Sequence, residues 1–430
     1  MAPPHTHTDG LRVLRTAHVA PVPPAGGPAL PEHALPLTFL DAIWLCAHPV
    51  ERVFFYRLCG APFAGDADAV LSTLVDSLSR VLHVFHPLAG RLRLTPGKTN
   101  RELAKIAPLV PNLPEGGALL AVQATVLLPA RRGLALGVTV HHAACDGSSS
   151  THFLHTWAAA CAGDRLLPEP PVIDRTLIRD RRNMYDAFAS QSRTNEADHV
   201  QFADVGKLLA TFTLSPEHLH SIKDAVAGKA ARRGVPPPRC TFLVATIGLT
   251  WLCFRLAGLD SQPEPHGDGC THLLFPVDHR SRLEPRVPEK YLGNCIGPGF
   301  AAAPKKELAT TTIADGLFTA CAMVAAAVDE AVRGEPGYWE RWVERIIEAC
   351  ADDTPFSVAG STRFRVYDVD FGFGRPAKVD IVSVAKTGAM SVAEDRSGSG
   401  GIEIGIALPP ERMERFRRWL ADAIATLVEN

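Results

Sequence analysis

The sequence predicts an α/β protein of two similar-sized halves, with α+β as the neighbouring class. Three observations point there. Strand-like and helix-like segments mix along the whole chain, a polar stretch without periodicity lies near the middle, and 430 residues exceed what one hydrophobic core ordinarily fills.

The elements follow in chain order. Residues 1 to about 30, with Pro21-Val-Pro-Pro-Ala-Gly-Gly-Pro28, read as an extended lead-in. Ordered structure is expected from Leu35 onward. Val70, Leu71, Leu74, Leu78, Val81 and Leu82 recur at helical spacing between Asp66 and Val84, with Asp66 and Asp68 at the front, where the helix dipole favours acid. Leu119 to Leu128 and Leu134 to Val140 read as strands joined by a turn over 129–133. Ser148 to Ala160 is helical, with Phe153, Trp157 and Ala160 on one face.

From about residue 165 to 205 periodicity fades, which marks a long surface connection between the halves, 1–205 and 206–430. Beyond it, Ala210 to Leu214 is strand-like, Glu217 to Ala227 helical, and Thr241 to Leu256 the most apolar helix. Strands are expected at Leu273 to Val277, Arg365 to Asp370, Val379 to Ala385 and Gly401 to Leu408. Helices are expected at Ile313 to Val332 and Glu411 to Val428.

Composition excludes several classes. Hydrophobic residues at 46% and charged residues at 21% are globular rather than disordered values. With 44 basic against 46 acidic side chains the net charge is −2, without the basic surplus of a nucleic-acid binder or an electrostatic pull toward anionic membranes. The longest uncharged apolar run, Phe242 to Phe254, falls short of the ~20 residues of a spanning helix, and the first residues lack a secretion signal. The 10 cysteines stand singly with no zinc spacing, which suits reduced thiols in a cytoplasmic protein.

The sharpest chemical feature is Val138-Thr-Val-His141-His142-Ala-Ala-Cys145-Asp146-Gly147-Ser-Ser-Ser150. A strand delivers two histidines at its end, and Asp146-Gly147-Ser148 opens a helix. A neutral His there takes a proton from a hydroxyl or amine. Asp146 either orients the imidazole or locks the loop; spacing leaves both open. Adjacent residues at a strand end face opposite ways, so His141 and His142 are not a metal pair, and His152 and His155 have no third, acidic ligand at a suitable spacing. No metal site is assigned. No nucleophile elbow, P-loop or dinucleotide fingerprint is present. A second feature, Asp370-Phe-Gly372-Phe373-Gly374, has two glycines flanking an aromatic, the mark of a backbone corner that Cβ atoms would obstruct.

His142-Ala-Ala-Cys-Asp146-Gly147 together with Asp370-Phe-Gly-Phe-Gly374 resembles the paired H-x-x-x-D and D-F-G-W-G signatures of the BAHD acyltransferases, plant enzymes that move acyl groups from coenzyme A to alcohols or amines. Leu35 to Asp41, His86 to Leu92 and Phe275 to Arg280 are similar to further family blocks, so the resemblance covers nearly the whole chain. Tyr291-Leu-Gly-Asn-Cys295 is similar to the Y-F-G-N-C block of the branch acylating flavonoid and anthocyanin glycosides. Phe373 replaces the usual Trp and Leu292 the usual Phe.

The resemblance implies a chloramphenicol acetyltransferase-like fold: two domains, each a mixed sheet with flanking helices, and a channel at their interface. It places the D-F-G-F-G motif and most of the coenzyme A site in 206–430, with a late segment free to cross back to the first domain. It implies His142 as general base and Asp146 as a structural residue tied to Arg280. Arg175 would grip a malonyl carboxylate; by residues alone, a solvated linker arginine stands beside that reading. Thr38 would bind substrate, and Asp370, Gly372 and Gly374 would shape the coenzyme A side. The expected activity is transfer of malonyl from malonyl-coenzyme A, a co-substrate rather than a resident cofactor, to a sugar hydroxyl of a phenolic glycoside acceptor, by a cytoplasmic monomer. The alternatives are a hydroxycinnamoyl or acetyl donor and, from a different class, a non-catalytic binding protein retaining the fold.

Overall fold

The structure, a computed structural model, describes residues 13–28, 30, 34–58, 67–92, 107–127, 133–164, 166–194, 206–259, 269–309, 312–334, 337–351 and 355–428. Asp66, residues 129–132 of the expected turn, residues 1–12 of the lead-in and residues 195–205 of the linker lie outside that set. The described strands are β1 Val50–Arg57, β2 Leu120–Leu127, β3 Gly133–Val140, β4 Leu208–Leu214, β5 Cys270–Asp278, β6 Ile296–Pro304, β7 Phe356–Gly360, β8 Lys378–Ile381, β9 Met390–Glu394 and β10 Ile402–Leu408. The helices are α1 Phe39–Ala42, α2 Ala67–Val84, α3 Gly147–Ala162, α4 Met184–Thr194, α5 Pro216–Arg233 and α6 Phe242–Leu259. They continue with α7 Lys305–Leu308, α8 Ile313–Arg333, α9 Trp342–Ala351, α10 Val384–Thr387 and α11 Pro410–Val428.

The chain divides into two compact units. The first comprises Met1–Val205, Leu283–Cys295 and Phe364–Ser383; the second comprises Gly206–Arg282, Ile296–Arg363 and Val384–Asn430. Two stretches from the later half, including Tyr291–Cys295 and Asp370–Gly374, therefore fold with the first unit.

In the first unit the sheet order is β2-β3-β1-β8. Every described pairing in it is antiparallel, unlike the mixed sheet expected. β1 pairs Val50 with Val140 and Arg57 with Gly133 on one side, and Arg52 with Ile381 on the other. Flanked on both edges and buried at Val53, Phe54 and Tyr56, it shows no polar alternation, so its sequence does not announce a strand. Helices α2 and α3 pack through Trp157, whose indole N–H donates to Ser77 Oγ at 3.1 Å. Phe153 stacks on Trp157 at 6.0 Å and Phe85 meets Phe153 edge-on at 5.5 Å, rings whose burial dominates a core of this size.

Three expectations are corrected here. The polar stretch after Asp180 holds a helix, α4, because Met184 and Phe188 fall four residues apart and both are buried, Phe188 stacked on Phe39 at 6.4 Å. Arg365 to Asp370 is not a strand. The chain makes 3-10 turns at Thr362–Phe364 and Val366–Asp368, with Arg365 between them at φ 50° and its Nε on Asp368 at 2.6 Å. The strand expected from Val379 to Ala385 ends at Ile381, and α10 begins at Val384.

In the second unit the sheet order is β4-β10-β9-β7-β5-β6. It is mixed: β7 runs parallel to β5 and β9, while the other pairs are antiparallel. The apolar run that sequence cut at Phe254 continues to Leu259, so α6 has the length and hydropathy to cross a membrane by composition alone. It is a core helix, with Ala245, Thr246, Leu249, Thr250, Trp251 and Cys253 all at 0% exposure. Its two threonines satisfy their hydroxyls within the helix, Thr246 on Phe242 O and Thr250 on Thr246 O.

Candidate active site

The site in the first unit is built where β3 ends. Its last residue, Val140, pairs with Val50 and Leu120. The His141 N–H then donates to Leu119 O at 2.8 Å. The chain turns, and Asp146 caps α3. The two histidines part company as expected for neighbours at a strand end. His141 turns inward on the loop, its Nδ1 accepting the Ala143 N–H at 3.2 Å. His142 lies flat against Trp44, with ring centroids 3.9 Å apart and planes 13° from parallel.

His142 keeps part of its surface exposed, but Nδ1 is buried and has no hydrogen-bond partner among the described residues. Burial pushes the imidazole down to about 4, only partly opposed by its own backbone, the Asp146 carboxylate and the Asn294 side chain. The ring is therefore neutral at pH 7, the form that accepts a proton. Cys145, beside it, is buried and its thiol pushed up by burial, which makes it an inert core thiol rather than a nucleophile. His152 and His155 bond the carbonyls of Glu169 and Phe364 through Nε2, at 2.8 and 3.0 Å.

Asp146 faces backbone donors. Oδ1 accepts the Ser149 N–H at 3.0 Å as the helix N-cap, and Oδ2 accepts the Cys295 N–H at 2.9 Å. Its own N–H donates to Gly293 O at 3.3 Å, and Ser149 Oγ donates to Tyr291 O at 2.7 Å. The start of α3 is thereby fastened to the block 291–295. Gly147 is required by close approach, because a Cβ there would meet the Phe364 ring at 2.6 Å. Arg280 belongs to the second unit. It is buried on the turn after β5, where its Nη1 reaches Asp278 Oδ1 at 3.3 Å.

Asn294 connects the loop to Asp41. Its Nδ2 donates to His142 O at 2.9 Å and to Asp41 Oδ1 at 3.0 Å, and its N–H donates to the same Oδ1 at 3.0 Å. Asp41 Oδ2 accepts from the Thr38 N–H and hydroxyl, each at 2.8 Å. Thr38 is thus the N-cap of α1, and its one donor hydrogen is engaged; what its hydroxyl retains for a ligand is acceptor capacity. With several donors around it, the fully buried Asp41 carboxylate is satisfied.

Arg175 is no solvated linker residue. Its side chain is 9% exposed, lies 3.7 Å from Asp41 Oδ2, and donates from Nη1 to Tyr291 Oη at 2.9 Å. Burial pushes that phenol up to about 12, so it keeps its proton at neutral pH. A Cβ on Gly293 would run into the Arg175 guanidinium, which explains the glycine. Both contacts fall on Nη1. Nε is buried without a hydrogen-bond partner among the described residues; it belongs to the Nε/Nη2 edge, one of the two edges by which a guanidinium chelates a carboxylate.

Asp370, Gly372 and Gly374 form a closed corner. Asp370 Oδ1 accepts the N–H groups of Gly372 at 2.8 Å and Gly374 at 2.9 Å, and the two glycines have φ of 94° and 100°. Left-handed backbone of that kind is natural for glycine alone. Phe373 packs edge-on to Tyr56 at 4.8 Å and Phe371 edge-on to Trp157 at 4.8 Å, so Phe373 fills space without an indole N–H. Trp44 and the bonds of Asn294 escaped sequence reasoning. The available signals were the Trp three residues after Asp41 and the Asn within the 291–295 block.

Comparison with known proteins places this site in context. A sequence model described as Transferase family matches residues 22–104 and 97–423. Phenolic glucoside malonyltransferase 2 of Arabidopsis thaliana is 30% identical, over 94% of this chain and 97% of its own. Coumaroyl-CoA:anthocyanidin 3-O-glucoside-6''-O-coumaroyltransferase 1 of the same plant is 27% identical, over 97% and 98%. The crystal structure of vinorine synthase shares the fold, with a TM-score of 0.67 at 19% identity over 90% of this chain and 92% of that one. These matches define an acyl-coenzyme A-dependent acyltransferase. The chain belongs to the Transferase family, that of the BAHD acyltransferases.

Proposed function

We propose that the enzyme transfers malonyl from malonyl-coenzyme A to a sugar hydroxyl of a flavonoid, anthocyanin or other phenolic glucoside. The observation that carries this reading is Arg175, a buried guanidinium braced on one side by Asp41 and Tyr291 and offering its chelating edge. An acetyl donor has no carboxylate to use it. The malonyltransferase relative supports the same donor class; the coumaroyltransferase relative keeps a hydroxycinnamoyl donor as the second reading.

In this proposal His142 is the general base. It removes the proton of the acceptor hydroxyl as that oxygen attacks the thioester carbonyl. The tetrahedral oxyanion collapses with cleavage of the C–S bond, and the imidazolium returns its proton to the departing thiolate. No covalent enzyme intermediate is needed, and base assistance of this kind contributes ~10²–10⁴ in rate. Asp146 holds the loop in register through Ser149 N–H and Cys295 N–H. Asp370, Gly372 and Gly374 keep the corner that shapes the coenzyme A side, and Thr38 acts at the substrate through its acceptor lone pair. We further propose that the enzyme is a cytoplasmic monomer.

A donor-by-acceptor screen read by product mass tests the reading, with Arg175→Gln beside the native protein. A charged bidentate contact worth about 2–3 kcal/mol predicts a ~30- to 160-fold fall in kcat/KM for malonyl-coenzyme A and little change for acetyl-coenzyme A. Equal losses on both donors, or a native preference for coumaroyl-coenzyme A, overturn the malonyl assignment.

A further inference from the structure

We propose that Trp44 is a positioning residue for acyl transfer: stacked flat on His142, it fixes the plane of the imidazole and keeps water from one of its faces. The proposal rests on the reading of His142 as the base. Three observations carry it. The rings lie 3.9 Å apart at 13°, closer than the stacked pairs Phe39–Phe188, Phe54–Tyr56, Phe153–Trp157 and Phe371–Phe373 of the first unit, at 5.9 to 6.5 Å. The indole Nε1 is buried and bonds no described residue, so the side chain is not held there by a hydrogen bond of its own. His142 Nδ1 is likewise buried without a described hydrogen-bond partner, so the contact that commonly orients a catalytic histidine is not seen at that atom.

Two neighbours bear on the placement of the ring, Asn294 and Trp44. Asn294 holds the backbone carbonyl of His142 at 2.9 Å, a bond that places the Cα and does not by itself fix χ2. The planar face of Trp44 removes that rotation. Trp44 lies three residues beyond Asp41, and Asp41 accepts two bonds from Asn294. Asp41 thus meets both: its backbone carbonyl accepts the Trp44 N–H at 3.1 Å, and its carboxylate accepts from Asn294 at 3.0 Å. The charged and titratable groups facing His142 are Asp146, which favours the protonated ring, and His141, which disfavours it; Asn294, though uncharged, also favours the protonated ring through its side chain. Dry surroundings outweigh both and hold the imidazole well below its ordinary value. Removing the indole admits water to that face.

The test uses Trp44→Phe, Trp44→Leu and Trp44→Ala in the full chain. Histidine NMR titration of the resting protein, with the His142 resonance identified by its loss in His142→Gln, is read beside kcat and KM. The expected result is a rise of the imidazole pKa by at least one unit in Trp44→Ala and a fall in kcat of ~10²-fold, the usual effect of about 1 Å of misplacement, with KM for the donor changing less than threefold. Trp44→Phe restores both. An unmoved titration in Trp44→Ala, or a kcat within threefold of native, overturns the proposal. Should Trp44→Ala fail to fold, equal kcat values for Trp44→Phe and Trp44→Leu overturn it, and a tenfold advantage for Phe supports it. Turnover retained by His142→Gln would instead sink the base assignment, a separate result from the titration.

Discussion

Replacing Asp146 by Asn keeps the shape of the side chain and changes one oxygen to an NH₂ group. In the native protein the two carboxylate oxygens accept from Ser149 N at 3.0 Å and from Cys295 N at 2.9 Å. Asparagine is itself a good N-cap, so its oxygen goes to Ser149. The amide nitrogen then faces the Cys295 N–H, donor against donor. Cys295 is at 0% exposure, so no water relieves its N–H. A bond to a charged acceptor contributes ~1.5–3 kcal/mol, and an orphaned buried donor costs ~1–3 kcal/mol; counting these overlapping terms once gives about 3 kcal/mol. For a unit of this size that corresponds to a Tm drop of about 6–12 °C. Differential scanning calorimetry measures it, alongside kcat/KM. Loosening the 291–295 block also frees Asn294 from His142 O, so turnover is expected to fall with stability. If Asp146→Asn melts within 2 °C of native and turns over normally, the fastening role assigned to Asp146 is wrong.

Other outcomes follow from the same geometry. kcat/KM, which reports the free enzyme, is expected to fall on the acid side through about pH 4, because His142 is neutral above that point; an acid limb at pH 6.5 or higher would refute it. His142 and His152 are pushed down to about 4 and His279 to about 3, burial being the chief cause in each. The unfolded chain binds those protons near pH 6.5 and the folded chain does not, so unfolding takes up protons and stability declines as pH drops from 6.5 toward 4. A urea midpoint lower at pH 5 than at pH 7.5 is expected; an equal or higher one contradicts the burial of these rings. Gly372→Ala and Gly374→Ala each force a Cβ into left-handed backbone at φ of 94° and 100°, an expected loss of ~1–3 kcal/mol visible as a lowered Tm.

The strand, double histidine and capped helix were readable locally, because an apolar run ending in small and polar residues needs no distant information. The corner at Asp370–Gly374 was readable for the same reason: paired glycines around an aromatic declare their own backbone. Arg175 was not decidable from its neighbours, since Asp41 and Tyr291 settle its burial and lie far away in sequence. Trp44 and Asn294 were invisible as contacts because His142 is distant from both along the chain, and periodicity carries no cross-chain register. Helix α4 was hidden by its thin apolar face of Met184 and Phe188, and β1 by the burial of successive residues Glu51 to Phe54, which breaks the alternation of a half-exposed strand.

The first unit draws on three separated stretches of chain, and this has a consequence for biosynthesis. When the ribosome has delivered the first 205 residues, β1 still lacks its β8 neighbour, and Asp146 and Ser149 still lack Cys295 N and Tyr291 O. The nascent chain then carries an open sheet edge and an unclosed catalytic loop, an aggregation hazard, until residue 381 has emerged. A fragment ending near 205 is therefore expected to be insoluble on its own, and dividing this enzyme at its apparent midpoint would separate a loop from the backbone that shapes it.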